Sequence, residues 1–162
     1  MVEFTVGDVA VYQGQGIGRI TGVGTMRVAG TELKVYTLRM DSGAIVRIPT
    51  DKAQSVGLRE VTPLAEIPAV YDILRQEGQR PKDKTWNRRY RAYSEKLRTG
   101  SVKDIAEVFR DLVFLRGTKE LSFGERQMLE QARTLLVKEL SLATDRAEGD
   151  VEQELETLLA HC

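Results

Sequence analysis

The chain has 162 residues, of which 41% are apolar, and its 24 basic and 24 acidic side chains cancel. This composition is ordinary for a folded protein of one domain or two small ones. The only cysteine and the only histidine, Cys162 and His161, end the sequence, which excludes an internal disulfide and a Cys/His metal cluster. Because the sequence has neither a membrane-length apolar run nor a signal-peptide pattern, we expect a cytoplasmic protein without membrane contact. We also expect no cofactor.

The charges are distributed unevenly along the chain. Residues 75–103 carry ten basic side chains against three acidic ones, whereas residues from 145 to the end carry six acidic side chains against Arg146 alone. A zero net charge therefore hides a basic middle segment, and nucleic acid remains a possible partner.

Residues 1–62 follow a period of two with frequent glycine, in segments such as "DVAVY" (8–12), "GRITGVG" (18–24) and "ELKVYTLRM" (32–40). Alternation with Val, Ile, Tyr and Thr predicts about five short antiparallel strands. The segments "VAGTE" (28–32) and "DSG" (41–43) are the turn candidates. We expect a small β-barrel of the Tudor or SH3 kind, which must close its edges or pair one of them with a partner.

Residues 63–162 change to a helical period and predict a compact domain of about five helices, giving an α+β protein. The first helix lies in 64–76 and becomes regular at Pro68; the second begins after Thr85. Ser101 with Asp104 resembles a capping box, and Ser122 with Glu125 forms a full one. An acidic last helix spans about 148–160.

Two catalytic interpretations are weak. The glycines of "GQGIGRITGVG" (14–24) resemble a phosphate-binding loop, but a further β pattern follows them where a helix is required, so they are expected to serve bends and turns. The carboxylates lie mostly beside Lys or Arg at the spacing of solvated helix pairs. We expect no enzymatic activity.

The segment "TWNRRYR" (85–91) holds the only tryptophan, Trp86, among three arginines. One interpretation places Trp86 and Tyr90 in the core with the arginines around them. The other leaves Trp86 exposed, since it lies in the first turn of its helix after a polar loop, and pairs it with cations that neutralise phosphates. Composition and spacing do not decide between these interpretations.

Several motifs together closely resemble the CarD/CdnL family of bacterial transcription regulators. They are "FTVGDVAVYQGQGIGRI", "RIPTDKAQSVGLREV", "TWNRRYR", "KLRTGSVKDIAEVFRDL" and "LSFGERQMLEQARTLLVKELSLA", and the resemblance extends to about residue 145. It implies a Tudor-like domain in 1–62 that binds the RNA polymerase β subunit, and a helical domain in 63–162 that meets promoter DNA at the upstream edge of the bubble. The resemblance further implies a monomer that reaches the nucleoid through polymerase and stabilises the open complex without reading a DNA sequence.

The resemblance also implies roles for particular residues. Trp86 matches the tryptophan that wedges into the minor groove. The residues that match basic DNA contacts are Arg88, Arg89, Arg91 and Arg126. Arg47 and Pro49 match the strand that faces polymerase. Met26 occupies a position where some members have a contacting arginine, so this chain departs from those members there, and Arg27 is adjacent.

Two rival functions follow from the same sequence. The helical domain of a Tudor-like polymerase adaptor could bind another protein, with Trp86 as the anchor of that interface. Alternatively, the helix that begins at Ser122 could read an operator in the major groove, as in a helix-turn-helix repressor.

Overall fold

The computed structural model describes residues 3–12, 15–76, 86–99 and 101–159, with the side chains of Trp86, Asn87 and Thr99 outside the description. The chain forms two compact units, Met1–Val61 and Thr62–Cys162. A β-sheet occupies the first unit and helices occupy the second, so the expected α+β class is confirmed.

Five antiparallel strands form the first unit. They are β1 (Val9–Tyr12), β2 (Gly16–Val28), β3 (Thr31–Met40), β4 (Ile45–Pro49) and β5 (Leu58–Glu60). Their order in the sheet is β4-β3-β2-β1-β5. In the described part of the unit no ladder joins β4 to β5, so the sheet is not closed; of the two expectations for its edges, the one that leaves an edge unpaired in this chain holds. Closure requires pairing between the two outer strands, and β5 is only three residues long.

The glycine-rich segment 14–24 enters β2 at Gly16, and this strand continues to Val28 and pairs with β3, whereas Gly14 lies outside the described residues. A bulge interrupts the pairing between Ile20 and Gly22, which bends the strand. The hairpin turn to β3 consists of Ala29 and Gly30, both with positive φ, as a tight two-residue turn requires. From Gly16 onward the glycines of segment 14–24 lie in a strand, as expected, and not before a helix as a phosphate-binding loop requires.

Five helices form the second unit. They are α1 (Ile67–Arg75), α2 (Trp86–Thr99), α3 (Val102–Thr118), α4 (Phe123–Thr144) and α5 (Glu148–Leu159). A short 3₁₀ turn, Leu64–Glu66, precedes α1, and Pro68 lies in the first turn of α1. Proline fits there because its missing N–H has no partner within the helix. Thr85, the predicted cap of α2, lies outside the described residues.

The two predicted capping motifs are present. The Ser101 N–H donates to Asp104 Oδ2 at 3.1 Å, and the Ser122 N–H donates to Glu125 Oε1 at 3.0 Å. Leu97 of α2 packs in one continuous core with residues of the other four helices. The fully buried members of that core include Val70, Leu74, Val108, Leu112, Leu136, Leu140 and Leu155. Among the described residues, no helix has the length and hydrophobicity to cross a membrane.

Candidate functional site

The first turns of α2 divide their arginines between solvent and interior. Arg88 and Arg91 are exposed. The Arg89 side chain is only 17% exposed, and its Nη2 lies 3.6 Å from Glu125 Oε2. Arg88 and Arg91 therefore supply surface charge, whereas Arg89 joins α2 to α4. The DNA contact predicted for Arg89 stays a prediction.

Glu125 lies at the centre of this junction, and its side chain is fully buried. Its Oε1 accepts hydrogen bonds from the Ser122 N–H and from Lys119 Nζ, each at 3.0 Å. Burial raises the pKa of the Glu125 carboxyl, but the hydrogen bonds from Ser122 and Lys119 and the charge of Lys119 outweigh it, so the pKa lies below its ordinary value. Glu125 is therefore ionised and paired at neutral pH.

The ion pair brings the starts of α2 and α4 together, and with them the remaining predicted cation. Arg126 follows Glu125 in the chain and is exposed. Phe123, the first residue of α4, is 69% exposed. Arg126 also lines an open cleft of about 730 Å³ together with Arg116, Lys119, Leu121 and Leu129. The exposed cations and the two exposed aromatic rings of α2, of the start of α4 and of this cleft form the set that we call the basic-aromatic surface: Arg88, Tyr90, Arg91, Arg116, Lys119, Phe123 and Arg126.

Trp86 begins α2, but its side chain lies outside the described residues. Of the two residues that share its face by spacing, Arg89 is largely buried and Tyr90 is about half exposed. Further along the same stripe, Tyr93 packs against the core and Leu97 is buried. Trp86 thus occupies the helix end that adjoins the basic-aromatic surface.

In the first unit, strand register places three of the four predicted polymerase contacts on one face of the sheet. Arg47 pairs with Thr37, and Pro49 pairs with Val35. Met26 pairs with Leu33, which shares the face of Val35 and Thr37 because side chains alternate along a strand. The opposite face carries the core residues Tyr36, Leu38 and Ile48.

Arg27 differs from these three residues. It pairs with Glu32 across the hairpin, on the face that Tyr36 shares, and its guanidinium lies 3.8 Å from the Glu32 carboxylate. Ile45 of β4 has the same parity as Arg47 and is 60% exposed. We call the set Met26, Ile45, Arg47 and Pro49 the β4 face.

Several of these residues are absent from the predictions made on the sequence. In the sequence, Phe123 is simply the first residue of a predicted helix, and only its exposure in the structure identifies it as a candidate contact residue. Ile45 reads as a strand residue of either face until the register is known. Glu125 is recognisable as a cap, but its contact with Arg89 is not. The described residues contain no group of three or more His, Cys, Asp or Glu side chains suited to holding a metal ion.

Comparison with known proteins covers both units. The CarD-like/TRCF RID domain matches residues 4–62, and the CarD C-terminal domain matches residues 69–156. YdeB of Bacillus subtilis (strain 168), whose name describes it as a candidate transcription factor, is 31% identical over 150 residues. That match covers 92% of this chain and 97% of YdeB.

One similar solved structure is the solution NMR structure of the 72-residue N-terminal domain of Myxococcus xanthus CarD. It is 34% identical and covers 37% of this chain and 81% of its own, with a TM-score of 0.32. The family matches define a transcription regulator of the kind related to RNA polymerase interaction. The chain belongs to the CarD/CdnL family, as its motifs led us to expect.

Proposed function

We propose that this protein regulates transcription initiation by stabilising the promoter open complex. In this proposal, residues 1–62 bind the RNA polymerase β subunit, and residues 63–162 meet promoter DNA at the upstream edge of the bubble, where Trp86 wedges into the minor groove. The protein acts as a cytoplasmic monomer without a cofactor or enzymatic activity. The observation that carries the proposal is the basic-aromatic surface beside Trp86, in a chain of the CarD/CdnL family.

The chemistry of this surface suits DNA backbone. Arg88, Arg91 and Arg126 are exposed cations, which neutralise phosphates and release counterions without distinguishing one base sequence from another. Tyr90 and Phe123 add two exposed aromatic rings to the same set of residues. Rings and apolar side chains engage unstacked bases, which are present at the edge of a bubble.

A wedge at the bubble edge favours the open state for an energetic reason. Separating two stacked base pairs costs a few kcal/mol in an intact duplex, whereas the step at a bubble edge is already opening. Trp86 would therefore bind the open complex better than the closed one, and only such a difference shifts an equilibrium. A preference of about 1.4 kcal/mol changes the ratio of open to closed complex tenfold.

The first test measures open-complex lifetime on one promoter with the wild type, Trp86→Ala and Trp86→Phe. We expect Trp86→Ala to lose most of the stabilisation and Trp86→Phe to keep part of it, since phenylalanine retains an apolar ring. Equal lifetimes with the wild type and Trp86→Ala would refute the wedge and favour a protein partner for the helical domain.

The second test concerns the β4 face. Arg47→Glu reverses one charge on this face, and we expect it to weaken binding to the polymerase β subunit. Lys34→Glu is the matched control: Lys34 is also exposed in the sheet, but its register places it on the opposite face. The β4 face is the wrong surface if both variants bind as the wild type does, or if both lose binding equally.

A gel-shift experiment without polymerase separates this function from that of an operator-binding repressor. We expect weak, salt-sensitive binding that is indifferent to sequence, because phosphate contacts dominate. A repressor would bind one operator tightly on its own, typically 10³ to 10⁷ times better than other DNA.

A further inference from the structure

Glu125 is a fully buried carboxylate in a small helical unit. A buried charge is costly unless donors surround it. Its partners come from three separate places. The Ser122 N–H at the start of α4 and Lys119 in the turn after α3 donate hydrogen bonds to Oε1, and the Arg89 guanidinium of α2 lies 3.6 Å from Oε2 as a counter-charge. This carboxylate therefore contacts three segments at one point, whereas a capping box needs only its contact with Ser122.

The contact with Arg89 restrains the part of α2 that matters for the proposed function. Arg89 lies three residues after Trp86, less than one helical turn away. The next anchor of α2 in the core is Tyr93, followed by Leu97. Fixing the Arg89 guanidinium against α4 thus restrains the end of the helix from which Trp86 emerges.

We propose that Glu125 is a positioning residue for Trp86, because it holds the first turn of α2, to which Trp86 belongs, against α4. Its effect on promoter opening rests on the proposed function, but its effect on Trp86 does not. Preorganisation of this kind strengthens binding because less conformational freedom is lost on contact with DNA.

The carboxylate chemistry makes the role specific. Oε1 accepts from Ser122 and Lys119, which leaves Oε2 for Arg89. A glutamine has a single acceptor oxygen and can still complete the capping box. Its NH₂ group would then meet the Arg89 guanidinium, donor against donor. Glu125→Gln therefore removes the link to α2 while preserving the cap of α4.

The test uses the full chain and the intrinsic fluorescence of its only tryptophan, which reports on Trp86 alone. Glu125→Gln should lower the fluorescence anisotropy of Trp86 and raise its quenching by acrylamide. It should also shorten the open-complex lifetime roughly threefold or more, a modest effect for coupled residues. Glu156→Gln is the control, since it removes an equal charge from an exposed residue of α5 that pairs with Arg133; it should match the wild type.

Arg89→Gln removes the same link from the α2 side and keeps the proposal testable if Glu125→Gln does not fold. The double variant should mobilise Trp86 no more than either single variant, because both changes break one contact. Folded variants whose Trp86 anisotropy and quenching equal the wild type would overturn the proposal. If Trp86 becomes mobile but Trp86→Ala leaves the open-complex lifetime unchanged, Glu125 still positions Trp86 and the proposed function fails instead.

Discussion

At the scale of single residues, Phe123 is a large apolar side chain exposed where a helix begins. It lies two residues before Glu125 in the chain and lines an open cleft with Arg126. We expect Phe123→Ala to shorten the open-complex lifetime several-fold, the order of loss for one base-stacking ring. The free energy of unfolding should change by no more than about 0.5 kcal/mol, as for other exposed sites.

Leu142→Ala is the control for this variant, since Leu142 is another exposed apolar residue of α4, near the opposite end. It should leave the lifetime unchanged. Open-complex lifetime and urea denaturation are measured on the same variants. A shorter lifetime with an unchanged free energy of unfolding indicates a lost contact with DNA and not an unfolded protein. An unaltered lifetime with Phe123→Ala would remove Phe123 from the DNA surface.

Glu125 predicts a pH dependence of stability. Its pKa is lowered in the folded protein, so it stabilises the fold at pH values above the ordinary pKa of 4.5, and the stabilisation is lost as pH falls through the folded value. The difference in unfolding free energy between wild type and Glu125→Gln should therefore be largest near neutral pH and shrink in acid. Denaturant titrations over a pH series measure it, and a difference that stays constant with pH would show that the charge is irrelevant.

The sequence identifies the three arginines at the start of α2 but not which of them faces the interior. Arg88, Arg89 and Arg91 are the same residue type, yet Arg89 is largely buried because it forms an ion pair with Glu125, 36 positions later. The capping motif of Ser122 and Glu125 was predictable because it is local. The contact between helices was not, since a local pattern contains no information about which distant residue completes a buried charge.

At the scale of elements, strands and helices were predictable from their periods, and sheet closure was not. The turn at Ala29 and Gly30 and the helix starts depend on neighbouring residues. Residues 50–57, which include the short 3₁₀ turn Thr50–Lys52, separate β4 from β5 in the chain, and the period of each strand contains no information about whether the two strands meet. The open sheet leaves β4 as an edge, which is available to a partner strand.

The entry to the helical unit depends on another buried carboxylate, Glu139 of α4. Both the backbone N–H and the hydroxyl of Thr62 donate to Glu139 Oε2, at 3.0 and 2.6 Å. Thr62→Val keeps the shape and removes one hydrogen bond to a charged group. We expect a loss of about 1.5 to 3 kcal/mol in the free energy of unfolding.

Urea denaturation measures this loss. Thr134→Val, at an exposed position of the same helix as Glu139, supplies the control for the change of side chain and should alter stability by no more than about 0.5 kcal/mol. Equal effects of the two substitutions would mean that the hydroxyl of Thr62 contributes nothing beyond its shape.

At the scale of the whole molecule, three of the six acidic side chains from residue 145 onward pair with arginines of the helical unit. Val151, Leu155 and Leu159 of α5 are buried in the helical core. On the same helix, Glu152 and Glu156 pair with Arg133, and Glu154 pairs with Arg146. These acidic groups therefore have their own partners, and a zero net charge does not argue against the cationic surface formed around Arg126.

The two units are expected to have different roles, and the dependence of open-complex lifetime on protein concentration can distinguish these roles. If the first unit only recruits the protein to polymerase, it raises the local concentration of the helical unit at the promoter. Arg47→Glu should then shift the curve of open-complex lifetime against protein concentration to higher concentration and reach the same plateau. Trp86→Ala should reach a lower plateau at any concentration, because the bound protein lacks the wedge.

The measurement is a titration of each variant against a fixed amount of polymerase and promoter, with Lys34→Glu expected to superimpose on the wild type. A reduced plateau with Arg47→Glu would mean that the first unit itself favours the open complex. A full plateau with Trp86→Ala would mean that recruitment alone suffices, and that the cations of the helical unit stabilise the open complex without a wedge. The midpoint and the plateau of the curve thus show which unit recruits the protein to polymerase and which stabilises the open complex. A binding affinity for polymerase alone does not separate these two roles.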